Sequence, residues 1–168
     1  HPGTFANSSR ALTCRHCTAG RASPIFAATA CQNCNPGRYS NTIGSSECSA
    51  CPSGFSGNGT GSLNCTACLP GFFASAIQTV LCNPCGLGTI ATLPAAAACE
   101  ACLRGTFANN TNQGLSATSH CSDCPSGTIA PDEGTAYCDP CEPGWIPNAA
   151  KTACMPCNPG QIAAFGAD

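Results

Sequence analysis

Cys-x-x-Cys is the commonest and most regular pattern in this sequence, with pairs beginning at Cys14, Cys31, Cys48, Cys65, Cys82, Cys99, Cys121, Cys138 and Cys154. The steps between them are 17, 17, 17, 17, 17, 22, 17 and 16 residues. Two thiols at that spacing can do three kinds of chemistry. They can form structural disulfides, bind zinc as thiolates, or cycle in redox catalysis.

Redox catalysis needs a thiol of lowered pKa at a helix start on an α/β scaffold, and nine copies on Gly/Pro-rich loops argue against it. Zinc has a usable spacing here, C-x2-C-x13-C-x2-C. Yet every pair has an equivalent neighbour on each side, so no division into four-ligand sites stands out. The basic residues that surround nucleic-acid-binding zinc modules are also missing. Structural disulfides fit best. Pairing the second cysteine of one pair with the first of the next gives Cys17–Cys31, Cys34–Cys48, Cys51–Cys65, Cys68–Cys82, Cys85–Cys99, Cys102–Cys121, Cys124–Cys138 and Cys141–Cys154. All loops are then of similar size, the five-residue insertion swells one of them, and Cys14 and Cys157 are expected to pair outside this segment. Each such bridge contributes roughly 3 kcal/mol by constraining the unfolded chain. Linking whole pairs in twos suits an odd count of nine poorly, though other connectivities stay open at this level.

The other candidate sites are four Asn-x-Ser/Thr sequons, at Asn7, Asn58, Asn64 and Asn109. Asn7, Asn58 and Asn109 share one phase of the repeat, seven residues after a real or inferred cysteine, which predicts glycans on an exposed bend. Asn41 and Asn148 hold that phase without a sequon, so the position also reads as a turn that favours Asn. Asn64 precedes Cys65 and is the weaker site. Ser119-His120-Cys121-Ser122-Asp123 contains triad residue types, but adjacency in sequence is not triad geometry. His16 reads as a linker side chain, Asp132-Glu133-Gly134 as a solvated turn, and Trp145 as a cover for a disulfide. No catalytic residue, metal ligand or cofactor is expected.

The elements that must position the cysteines are legible in the same register. Three residues after each pair comes a glycine: Gly20, Gly37, Gly54, Gly71, Gly88, Gly105, Gly127, Gly144 and Gly160. Pro precedes four of them, and Pro-Gly fits the centre of a type II turn, where glycine takes the positive φ. Two residues past the glycine stands an aromatic or Ile in most units (Tyr39, Phe73, Ile90, Phe107, Ile129, Ile146, Ile162), with Ala22 and Ser56 as exceptions. This is the side chain expected to be buried, and a small residue usually follows it. Each unit thus reads as a turn, a short extended piece, a polar loop and a return to the next pair. Gly3-Thr4-Phe5-Ala6-Asn7 recurs as Gly105-Thr106-Phe107-Ala108-Asn109. The segment is therefore expected to be a window on a longer array. Residues 1–13 would be a partial repeat, 14–157 eight tandem modules with a long variant at 102–121, and 158–168 the start of a further one.

Composition supports the disulfide reading. Eighteen of the 168 residues are Cys, eighteen Gly and fourteen Pro, and only 8% are charged. A cysteine content above about 8–10% marks a disulfide scaffold in an oxidising compartment. One Trp, two Tyr, seven Phe and one Met are too few to fill a core for this length. The net charge is −2, and Arg10, Arg15, Arg21, Arg38, Arg104 and Lys151 are scattered, so no basic stripe addresses nucleic acid. The sequence has no apolar run long enough to span a membrane.

The pattern from Cys51-Pro52-Ser53-Gly54-Phe55 to Cys68-Leu69-Pro70-Gly71-Phe72-Phe73 resembles ephrin-receptor-like and growth-factor-receptor-like cysteine-rich repeats. Long arrays of this kind are similar to protist and algal surface glycoproteins, such as ciliate immobilisation antigens and mastigoneme glycoproteins. The resemblance implies an extended, disulfide-linked, glycosylated ectodomain without catalysis. The expected fold is small and disulfide-rich, with short β-hairpins and turns stacked as an elongated rod of ~17-residue modules. The expected function is a structural extracellular glycoprotein of a cell-surface coat or fibre, carrying glycans and associating with itself or with homologous coat proteins. The alternative is the stalk or ligand-binding ectodomain of a receptor or adhesin. The irregular unit from Cys102 to Cys121 is its one candidate site, although the polar insertion Asn110-Thr111-Asn112-Gln113-Gly114 reads as a tolerated loop.

Overall fold

The structure is a computed structural model that describes residues 1–8, 11–109 and 119–158. Among these residues there is no helix. Regular structure consists of nine two-stranded antiparallel hairpins. Each begins with a turn of the expected kind. In the first, the Thr4 N–H donates to the His1 carbonyl at 3.2 Å, with Pro2 and Gly3 at the centre and Gly3 at φ 79°. Pro presets its own φ and glycine accepts the positive one at no steric cost, so the sequence folds this way locally without help.

The turn feeds a two-residue strand that returns to pair with the two residues inside the next Cys-x-x-Cys. Thr4 and Phe5 face His16 and Arg15, Arg38 and Tyr39 face Ala50 and Ser49, and Thr106 and Phe107 face Asp123 and Ser122. One further bond closes each hairpin, as from the Cys17 N–H to the Gly3 carbonyl at 2.9 Å. The last hairpin is longer, with Trp145–Pro147 against Cys154–Pro156. Isolated hairpins this short do not persist in water. A disulfide ties the loop of every hairpin but the first: Cys17–Cys31, Cys34–Cys48, Cys51–Cys65, Cys68–Cys82, Cys85–Cys99, Cys102–Cys121, Cys124–Cys138 and Cys141–Cys154. Their Cα–Cα distances are 5.6–5.8 Å, inside the range an unstrained bridge requires.

The chain divides into two compact units. The first comprises His1–Cys68, Phe73–Asn83 and Ala95–Ala97; the second comprises Leu69–Phe72, Pro84–Pro94 and Ala98–Asp168. Within the first unit a backbone ladder joins successive modules. The N–H groups of Gly3, Gly20, Gly37 and Gly54 donate to the carbonyls of Ser23, Ser40, Gly57 and Ala74 at 2.6–2.8 Å, a constant step of twenty residues. A second rung runs from Ala6, Ser23, Ser40, Gly57 and Ala74 to Ala28, Ser45, Ser62, Thr79 and Ala96. The second unit repeats the scheme with Gly71 to Ala91, Gly88 to Ala108 and Gly105 to Ala130.

The core corrects one expectation. The residue two past the turn glycine is buried only at Ala22 and Ile90. Phe5, Tyr39, Phe73, Phe107 and Ile129 are half-buried, and Ile146 is exposed. Burial falls instead on the second cysteine of every pair but the last and on the small residue three past the glycine, such as Ser23, Ser40, Ala74, Ala91, Ala108 and Ala130. The reason is the ladder. Where two backbones approach to hydrogen-bond distance, the space between them admits a sulfur or a methyl group and little else. The core cluster of the second unit shows the scale: Ile90, Cys102 and Ala108, with Cys121 against them.

Candidate functional site

The most organised chemistry on this chain is the repeated joint between modules, built from turn glycine, disulfide and loop. Seven residues after seven of the turn glycines the backbone enters the left-handed region again, at Ala27, Gly44, Gly61, Gln78, Ala95, Gly134 and Lys151, with φ between 55° and 79°. At Gly44, Gly61, Gln78, Ala95 and Gly134 the N–H donates to the carbonyl of a buried cysteine, respectively Cys17, Cys34, Cys51, Cys68 and Cys102, at 2.7–2.8 Å. The carbonyl of the same residue lies against a turn glycine two modules back. A Cβ on Gly3 would collide with the Gly44 carbonyl, one on Gly20 with Gly61, one on Gly37 with Gln78 and one on Gly54 with Ala95. These four turn glycines are thus required twice, for their φ and for this close approach.

Sequence reading missed this joint, because the residues at its key position (Ala, Gly, Gln and Lys) share no chemical type. It also missed Lys151. The loop between Cys141 and Cys154 is one residue shorter than most, and there the Lys151 N–H bonds to the Asn148 carbonyl at 2.9 Å. The side chain takes over the lost contact, its Nζ donating to the Cys124 carbonyl at 2.5 Å. A lysine in the one shortened loop was the available signal. Arg38 makes a comparable tie, donating to the Cys48 carbonyl at 2.8 Å and to Gln78 Oε1 at 3.1 Å.

Of the sequon residues, Asn7, Asn58 and Asn64 are exposed. Asn109 is half-buried, its Oδ1 enclosed and without a hydrogen bond. The polar insertion at 110–114, which includes Thr111 of that sequon, lies outside the described residues. Cys121 is bridged to Cys102, while Ser122 and Asp123 lie exposed on a strand, so the Ser-His-Cys-Ser-Asp stretch assembles no triad. His16 is exposed beside Gly44. Asp132 closes a turn by accepting from the Thr135 hydroxyl at 2.8 Å. Trp145 is 43% exposed and pairs across its hairpin with Pro156. Among the described residues no group of three or more His, Cys, Asp or Glu side chains could hold a metal ion, and no helix is long and apolar enough to cross a membrane. Cys14 is an exposed free thiol and Cys157 a half-buried one.

Fold and joint together define a small disulfide-rich protein of tandem cysteine-rich modules. Residues 26–64 match the family described as tyrosine-protein kinase ephrin type A/B receptor-like. The matched stretch holds the whole Cys34–Cys48 bridge and one cysteine from each flanking bridge. The repeats are therefore receptor-like cysteine-rich modules in kind, and their disulfide density is that of proteins made in an oxidising compartment. No curated protein matches the chain.

Proposed function

We propose that this chain is a structural extracellular glycoprotein that builds a cell-surface coat or a fibre, comparable to a flagellar hair, and that it has no catalytic role. The observation that carries this reading is the repeated joint. From Gly3 to Gly105 the modules spend buried cysteine, turn glycine and small residue on their neighbours, and much of what remains outward is sequons and loops. Repeats that contact only near neighbours are suited to long, protease-resistant spacers, and glycans on Asn7 and Asn58 supply the solubility that few charges provide. The test is the intact mass of native, non-reduced protein, repeated after reduction and after glycan removal, followed by imaging for filaments. Bridged cysteines and heterogeneous sugar are expected. A sugar-free chain with free thiols that retains zinc overturns the reading.

The match over residues 26–64 to a receptor-like module supports a second reading, the stalk or ligand-binding ectodomain of a receptor or adhesin. It requires a protein ligand held by a localised cluster of anchor residues. Saturable binding of the purified chain to cells, lost on substitution within one module, would favour it over the coat.

A further inference from the structure

One loop of the array carries a reactive dipeptide inside its sequon. Asn58 is followed by Gly59, and no other asparagine of the sequence is followed by glycine. Asn58 is exposed, and neither its side-chain amide nor the Gly59 N–H has a hydrogen bond among the described residues. An added Cβ on Gly59 would meet only the Ser62 Oγ, at 3.6 Å, so the space around this residue is open. The loop lies inside the array, with its joint partners Gly20, Cys34 and Thr79 all described. Asn148, in the same phase of the repeat, is the opposite case. Its Nδ2 donates to Thr152 Oγ1 at 3.1 Å, its Oδ1 accepts from the Thr152 N–H at 2.9 Å, and the residue after it is Ala149.

Those features suit one reaction. The Gly59 backbone nitrogen, having lost its proton, attacks the Asn58 Cγ. The new C–N bond closes a succinimide ring, the Cγ–Nδ2 bond breaks, and the side-chain nitrogen leaves as ammonia. Water then opens the ring at either carbonyl and leaves an aspartate, or an isoaspartate whose main chain is one carbon longer. One water enters, one ammonia departs, and nothing is oxidised or reduced. Glycine favours the step because it has no Cβ to crowd the attacking nitrogen and its backbone is the freest. The nitrogen that leaves is also the atom a glycan on Asn58 occupies. A sugar there crowds Cγ and makes the leaving group a glycosylamine instead of ammonia.

We infer that Asn58 is a self-modifying position: without sugar it loses its amide through a succinimide, and with sugar it keeps its nitrogen. The sugar thereby guards the joint. On one side of the dipeptide the Gly57 N–H donates to the Thr79 carbonyl at 3.1 Å; on the other the Gly61 N–H donates to the Cys34 carbonyl at 2.7 Å. The Gly61 carbonyl lies where a Cβ on Gly20 would collide with it. An isoaspartate puts an extra main-chain carbon between these anchors and pushes Gly61 out of its contacts with Cys34 and Gly20. The new carboxylate also makes the net charge more negative than −2. The inference rests on the reading of Asn58 as a glycan acceptor and gives that glycan a task besides solubility.

The experiment compares the full-length chain with its Thr60→Ala variant, both made in one glycosylating host and incubated at neutral and at mildly alkaline pH. Thr60 is exposed, and the change removes the sequon while keeping Asn58-Gly59. Sugar is trimmed by an endoglycosidase that leaves the first residue on Nδ2, and peptides are then mapped by mass spectrometry with an isoaspartate assay. The Thr60→Ala chain is expected to accumulate aspartate and isoaspartate at position 58, faster at the higher pH. The glycosylated parent keeps its nitrogen there, and Asn148 keeps its own in both chains. Adding Gly59→Ala to Thr60→Ala slows the loss severalfold. The isoaspartate fraction is cut within the Cys51–Cys65 loop by protease doses that spare the unconverted chain. A Thr60→Ala chain that keeps its amide as long as Asn148 does, or a loss that Gly59→Ala leaves unchanged, overturns the inference. So does a sugar-bearing Asn58 that loses its nitrogen at the bare rate, or an isoaspartate fraction no easier to cut. A parent without sugar at Asn58 overturns the protection and the glycan reading at this position, while the Thr60→Ala chain still decides the loss of the amide.

Discussion

At Gly88 a hydrogen atom is the largest substituent the fold accepts, because an added Cβ would run into the Gly134 carbonyl and φ is +73°. Gly127 has a similar φ of +79° but no described atom within 4 Å of that Cβ position. Gly127→Ala therefore incurs only the conformational cost, about 1–2 kcal/mol. Gly88→Ala adds an overpacking term of roughly 1–3 kcal/mol. Urea unfolding of the two variants should place Gly88→Ala clearly below Gly127→Ala; equal losses would mean that the contact contributes nothing. The reverse change is informative at Ala95, a non-glycine residue at φ 61°. Ala95→Gly removes that strain and should leave the thermal midpoint unchanged or higher, whereas the same change in a relaxed loop costs about 0.5–1 kcal/mol. At this scale the sequence was half legible. The turn glycines announced themselves by residue type. Their partners did not, since Gly44, Gln78, Ala95 and Lys151 have in common a backbone angle, which no side chain encodes.

Hairpins of two-residue strands have almost no stability of their own, so the eight with a bridged loop depend on that bridge. Removing Cys51–Cys65 by the paired substitutions Cys51→Ser and Cys65→Ser should cost about 3 kcal/mol, read by urea unfolding, with new protease cuts between positions 52 and 64. Removing Cys102–Cys121, whose cysteines are 19 apart rather than 14, should cost nearly the same, because loop entropy rises by only about 0.6 kcal/mol per doubling of length. A loss several-fold larger there would point to contacts of the inserted loop instead. The short hairpins and their turns could be read from sequence, since Pro-Gly and the fixed Cys-x-x-Cys spacing are local signals. The buried position could not. An alternation argument puts the aromatic at Tyr39 or Phe107 inside. The ladder between modules brings the backbones so close that Ser40 and Ala108 go inside instead.

At the scale of the molecule, the buried side chains among the described residues are cysteine, alanine, serine and one isoleucine, so little large apolar surface there leaves water on folding. Stability then resides in covalent closure and in backbone bonds. Full reduction under native conditions should abolish the thermal transition altogether, whereas a metal chelator should leave its midpoint unchanged, both read by circular dichroism. A chelator-sensitive transition would reopen the zinc reading of the cysteine pairs. The reach of the joint also sets a clock for biosynthesis. Gly3 meets Gly44, Gly20 meets Gly61 and Gly37 meets Gln78, each partner lying 41 residues further along the chain. At about 5–20 residues per second a ribosome takes roughly 2–8 s to deliver that partner. A module newly emerged from the ribosome therefore waits, with its cysteine backbone unpaired, for two more to follow, and folding trails synthesis by a fixed distance along the array.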